Sequence, residues 1–251
     1  MKLNADKCHL LVPGYKHEHT WVKLENVKIW EESSVKLLGL QIDSQLKFDN
    51  HVLAICSKAG RKLSALRRIV PYLSFNKKRT LLKSFVESQF NYCPLIWMFH
   101  SRTVNNKINR LHERALRLIY NDYKLSFDEV LENDKSLSIH HRNIHCLAVE
   151  MYKIYHDSGE RPLADMIYVP RNNTLRTDFT VPAVRTEKYG KNSVRYLGPL
   201  IWKIVPPLLK EADNMSEFKR NIKTWKPTKC PCRLCKVYVQ NLGFVTISNN
   251  P

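Results

Sequence analysis

Over residues 1–45 the apolar positions come in short runs and partial alternation. "CHLLV" (Cys8 to Val12) is followed by Val22, Leu24, Val27 and Ile29 within "WVKLENVKI", and then by "VKLLGLQID" with Gly39 inside it. Such stretches predict strands, and a Gly within one marks a bulge or a close approach by another backbone. After "LKFDN" the period changes. Phe48, Val52, Ile55, Ala59, Leu63, Leu66 and Val70 recur at spacings of three and four, which predicts one amphipathic helix stopping at Pro71. Ser74 is the candidate N-cap of a second helix, with Leu81, Leu82, Phe85 and Val86 turned inward and an end before Pro94. A third follows "SRT", its buried stripe formed by Val104, Ile108, Leu111, Ala115 and Leu118.

Beyond it, "SFDEVLEND" sets Ser126 and Glu129 at capping-box spacing. "LSIHHRNIHCLAVEMYKIYHD" then places Ile144, Leu147, Met151 and Ile154 on one helical face. Residues 158–182, rich in Pro, Asn and Arg, read as an extended connector. "YLGPLIWKIVPPLLKEADNMSEFKRNIKTW" returns to compact structure, with a final helix around residues 216–225. The fold class expected is α+β, predominantly α, in three parts: a small strand-containing region (1–45), a helical bundle (46–125), and a helical and extended region ending in a Cys cluster (126–251). With 251 residues, 43% of them hydrophobic, the chain can build a real core. No apolar run approaches the roughly 18 residues of a spanning helix, so no membrane partner is expected.

Charge sharpens the reading. The chain carries 41 Lys and Arg against 23 Asp and Glu, a net +18, and the excess is segregated. From Asn50 to Val86 there is no acidic residue, while Lys58, Arg61, Lys62, Arg67 and Arg68 lie on the first helix and Lys77, Lys78, Arg79 and Lys83 follow. Such a block needs counter-charge from outside, and phosphates supply it with release of condensed counterions. Nucleic acid is the expected partner. Arg110, Arg114 and Arg117 stack along one face of the third helix, a spacing that suits either a phosphate track or a solvated face. "MKLNADKC" lacks the apolar core of a secretory signal. Seven Cys, with Cys8, Cys56, Cys93 and Cys146 scattered, argue for a reducing, intracellular compartment and for small core residues.

"CPCRLC" puts Cys230, Cys232 and Cys235 in C-x-C-x-x-C spacing, which could hold zinc. A fourth ligand has to fold back from His156 or another upstream His, or come from a second chain; the alternative is a Cys-containing tight turn. His140, His141 and His145 form H-H-x-x-x-H on a predicted helix but lack the Glu of H-E-x-x-H, so surface or phosphate-facing roles are expected of them. Trp97, Trp202 and Trp225 sit among aliphatics and read as core. No P-loop, Rossmann or G-x-S-x-G pattern is present, which excludes those enzyme classes.

The order of the parts resembles a known family. "LNADKCHLLV" and "VKLLGLQIDSQLKFDNHV" resemble motifs D and E of the reverse transcriptases of non-LTR retrotransposons of the jockey-like type. The resemblance continues through "FNYCPLIWMF", "INRLHERALRLIY", "YLGPLIWKIVP", "FKRNIKTW" and "CPCRLC". It implies a palm-edge remnant, then a thumb-like bundle that lies along a template–primer duplex, so the partner becomes RNA or an RNA–DNA hybrid. By the same resemblance Lys7 matches a lysine that protonates pyrophosphate, Leu38 and Gly39 match the primer-grip turn, and Lys58, Arg61, Lys62, Arg67 and Arg68 fall in the thumb's first helix. Nuclear access is implied as well. The chain contains no Asp-Asp dipeptide, and phosphoryl transfer needs carboxylates holding two metal ions. Magnesium would serve only that missing palm site. The chain alone is therefore expected to be inactive as a polymerase, with duplex binding as its residual role and the fingers and palm portion of such an enzyme as a further partner. A zinc-dependent nucleic-acid-binding module and a decayed structural fragment are the other classes.

Overall fold

The computed structural model describes residues 4–14, 20–156, 167, 179–227 and 230–235. The described chain is α+β and predominantly helical, with two small antiparallel two-stranded sheets. It divides into two compact units, residues 1–93 with 99–122, and residues 94–98 with 123–251.

In the first unit β1 (Trp21–Leu24) pairs with β2 (Val27–Trp30), and β3 (Ser34–Leu37) pairs with β4 (Leu40–Asp43). The two stretches expected to be single strands are thus hairpins. "WVKLENVKI" folds back at Glu25 and Asn26, between the paired residues Leu24 and Val27. In the other hairpin Leu38 and Gly39 are the two turn residues, with φ of 47° and 88°. Positive φ at both positions matches the right-handed twist of the flanking strands, so Gly39 is neither a strand bulge nor a strand residue. "CHLLV" is reduced to one bridge, Leu10 with Glu31, preceded by a 3-10 turn over Ala5–Lys7.

The helices of this unit are α1 (Asp49–Ile69), α2 (Phe75–Leu81) and α4 (Arg102–Tyr120), and α1 packs against α4. All seven residues assigned to the α1 stripe are buried, Phe48 and Val70 included. After α2 the helix widens through one π turn, Leu82–Val86. The extra residue per turn rotates the register, so Leu82 and Val86 stay inside while Phe85, expected inward, is 46% exposed. On α4 the stripe drifts in the same direction as a 3.6-residue period. Leu116 and Ile119 are buried where Leu118 was expected, and Leu118 is only half-buried.

The second unit holds α3 (Pro94–Trp97), α5 (Phe127–Asn133), α6 (Ile139–Tyr155), α7 (Val194–Ile204), α8 (Pro207–Lys210) and α9 (Met215–Asn221). The capping box forms as the spacing predicts: Glu129 N–H donates to Ser126 Oγ, and Ser126 N–H donates to the Glu129 carboxylate at 2.6 Å. Ile144, Leu147, Met151 and Ile154 of α6 are buried. Around them Tyr152, Trp202 and Phe218 pack ring to ring, and the Tyr152 hydroxyl donates to the Ala212 carbonyl at 2.6 Å. Trp97 and Trp202 are core residues as expected, whereas Trp225 is half-buried. The scattered cysteines are not core: Cys8, Cys56 and Cys93 are half-buried and Cys146 is exposed. The connector 158–182 lies outside the described residues except for Ile167 and residues 179–182. Among the described residues no helix is long and apolar enough to cross a membrane.

Candidate functional site

The second unit assembles one constellation that no local sequence pattern contains. The side chain of Ser138 caps α6 by accepting from His141 N–H, which places His140 in the helix's first turn. There the His140 ring meets the three thiols of the Cys cluster. Its Nε2 lies 3.2 Å from Cys232 Sγ and 3.3 Å from Cys235 Sγ. The ligand atoms of His140, Cys230, Cys232 and Cys235 all fall within 4.8 Å of one another. A tetrahedral ion with metal–sulfur bonds of about 2.3 Å needs ligand atoms about 3.8 Å apart, so a small adjustment fits the set around a metal ion. The Cys235 N–H donates to Cys232 Sγ at 3.3 Å, which orients that sulfur and offsets part of its charge.

The electrostatics favour anionic sulfur here. The thiols of Cys230 and Cys235 hydrogen-bond to Cys232 and hold it well below the usual thiol range, with His140 adding to the effect. The same sharing pushes Cys230 up to about 12 and raises Cys235. A bound cation would displace the shared protons, since thiolates are the ligating form. His140 Nδ1 is buried with no hydrogen-bond partner among the described residues.

His145 supplies a second tie to the C-terminal segment. His145 Nε2 donates to the Trp225 carbonyl at 2.7 Å, and the two rings stack 5.7 Å apart. Burial lowers the His145 pKa, and the bond to Trp225 offsets part of that. His141 is pushed down to about 4, first by burial and then by its histidine neighbours. The expectation of surface or phosphate-facing histidines is thereby corrected, because His140 and His145 are 7% and 9% exposed. The residue that joins the three cysteines is not His156 but His140, one of the upstream histidines left open as the fourth donor; the sequence could not single it out because it lies 92 residues from Cys232.

The basic residues of the first unit are placed differently. Lys58, Arg61, Arg67 and Arg68 are exposed on α1 and Lys62 is half-buried, and none has an ion-pair partner among the described residues. Arg110 and Arg114 are exposed on α4. Arg117 departs from that face: it pairs with Glu113 at 2.7 Å with its side chain 19% exposed. Leu38 is 82% exposed at its turn, which Tyr92 ties down by donating its hydroxyl hydrogen to the Leu38 carbonyl. Lys7 is exposed on its 3-10 turn, and among the described residues no side-chain hydrogen bond or ion pair joins it to the basic helices. Family models, curated proteins and solved structures were all compared with the chain, and none matches it.

Proposed function

We propose that this chain binds the phosphate backbone of RNA or an RNA–DNA hybrid through α1, in the manner of the template–primer-gripping part of a jockey-like reverse transcriptase. The observation that carries the reading is the division of α1: the stripe from Val52 to Leu66 is buried, and four cations stand exposed on an acid-free stretch of chain with no ion-pair partner among the described residues. An ordinary soluble helix intersperses acidic residues among such cations, whereas a helix that lies on phosphates does not need them. The exposed Leu38–Gly39 turn agrees with a primer-grip role. On this reading the chain does not polymerise by itself, because it lacks an Asp-Asp pair to hold catalytic metal ions.

The test is equilibrium binding to an RNA–DNA hybrid across a salt series, beside a Lys58→Ala, Arg61→Ala, Arg67→Ala, Arg68→Ala variant. The log–log salt slope is expected to be shallower in the variant by up to about 3 to 4. Weak binding that is equal in both proteins would leave the resemblance as ancestry without function.

We further propose that the ion at the second unit's site is zinc. Three thiolates and one imidazole are a soft, four-donor tetrahedral set that leaves no open position, the pattern of a structural zinc site. Metal analysis of the purified, folded chain is expected to give one equivalent of zinc, lost when Cys232 and Cys235 are both replaced by Ser. A metal-free chain that cannot be loaded would reduce the cluster to a tight turn.

A further inference from the structure

Between α1 and α2 the chain makes a single 3-10 turn, Val70–Tyr72. The turn is rigid for local reasons. Val70 is buried and anchors it, Pro71 fixes its own φ, and Leu73 N–H closes it onto the Val70 carbonyl at 3.1 Å. On this mount the Tyr72 side chain is 87% exposed, more than any other large apolar residue described. Of the other exposed aromatics, Trp21 faces Trp30, Phe75 packs edge-on against Tyr120 and Tyr92 bonds to Leu38, while Phe85, without a ring contact among the described residues, is only 46% exposed. Tyr72 has no ring contact and no hydrogen bond among the described residues. Its surroundings are cationic. Arg67 and Arg68 stand exposed in the last turn of α1, Lys77 stands exposed on α2, and no acidic residue occurs from Asn50 to Val86.

A protruding aromatic ring on a stiff turn between two sets of cations suits one kind of occupant: a nucleotide whose base is free to stack and whose phosphate is negative. A paired base inside a duplex would first have to be unstacked, while an unpaired one offers its face directly. We propose that Tyr72 stacks on an unpaired base of a strand whose phosphates are held by Arg67, Arg68 and Lys77, so that the end of α1 marks a junction between duplex and single strand. The inference rests on the reading of α1 as a phosphate-binding helix. Stacking tolerates any base and releases no counterions, which separates its signature from that of the cations.

The experiment uses the full chain, an RNA–DNA hybrid carrying a single-stranded overhang with 2-aminopurine in it, and the same hybrid with blunt ends. Tyr72→Ala is expected to weaken binding to the overhang probe about five- to hundredfold, to leave the salt slope unchanged and to abolish quenching of the 2-aminopurine. Tyr72→Phe should behave as the parent does, and the blunt probe should not distinguish the three proteins. Because the side chain lies in water, neither substitution is expected to disturb the fold, which circular dichroism checks. If the parent binds and Tyr72→Ala binds and quenches equally well, the stacking role is overturned while the α1 reading stands, and the ring is then a contact for something other than a nucleic acid. If the parent binds neither probe, both readings fall together.

Discussion

Asp43, the last residue of β4, accepts hydrogen bonds from the backbone N–H groups of Gln45 (3.1 Å), Lys47 (3.1 Å) and Phe48 (2.8 Å). Across that loop Leu46 and Phe48 sit at φ of 50° and 58°, a region that costs a side chain with a Cβ about 1 kcal/mol. One carboxylate therefore satisfies the loop's amides and holds the strained entry to α1. Asp43→Ala is expected to lower the unfolding free energy of the first unit by about 1–3 kcal/mol in urea titrations, and Asp43→Asn to recover part of it. His51, two residues into α1, is a second local control. Burial and, to a smaller extent, the charge of Lys58 lower its pKa, and its Nδ1 accepts from Gln41 N–H at 3.3 Å. The unfolded chain takes up this proton first as pH falls through about 6.5. Above that value His51 costs the fold nothing, and below it the fold loses stability until the lowered native pKa is passed. Unfolding midpoints measured at pH about 7.5 and about 5 should differ less in His51→Asn, which keeps an acceptor near Nδ1 and cannot titrate.

At the scale of elements, α6 and α7 approach closely because position 198 has no side chain. A Cβ on Gly198 would fall 2.6 Å from Sδ of Met151, which is fully buried. Gly198→Ala should cost the second unit about 1–3 kcal/mol in denaturant unfolding, and the loss should be less than additive with Met151→Ala because the two share one contact. How legible such elements were depended on how long their signal ran. The α1 stripe repeats seven times from Phe48 to Val70 and was read without error. Both hairpins were read as single strands, since Glu25 and Leu38 adopt positive φ although neither residue type announces it. Phe85 was misplaced because nothing in "LLKSFVE" signals a π turn. Three of the four residues in the Cys/His cluster are visible as a local spacing. The fourth is expected only as some upstream His, because a tertiary contact between α6 and a distant segment leaves no periodicity in the sequence to single out His140.

For the molecule as a whole, the ligand cluster belongs entirely to the second unit, so metal should act on that unit alone. Chelation is expected to lower the melting midpoint of the second unit and leave the first unchanged, a split that calorimetry with and without chelator would read directly. In His140→Ala the second unit should melt lower and respond far less to chelator. The reason lies in the denatured state. Cys230, Cys232 and Cys235 are close enough in the chain to hold an ion even when the protein is unfolded, and a ligand stabilises the fold only to the extent that it binds the native state more tightly. What only the native state supplies is His140, 92 residues from Cys232. To recruit His140 the unfolded chain would have to close a loop of that length, at an entropic cost of about 4–5 kcal/mol by analogy with a disulfide, so that bond is made in the native state alone. The ion's affinity and its contribution to folding are thus separate quantities. The cysteines set the first, and one histidine converts it into the second.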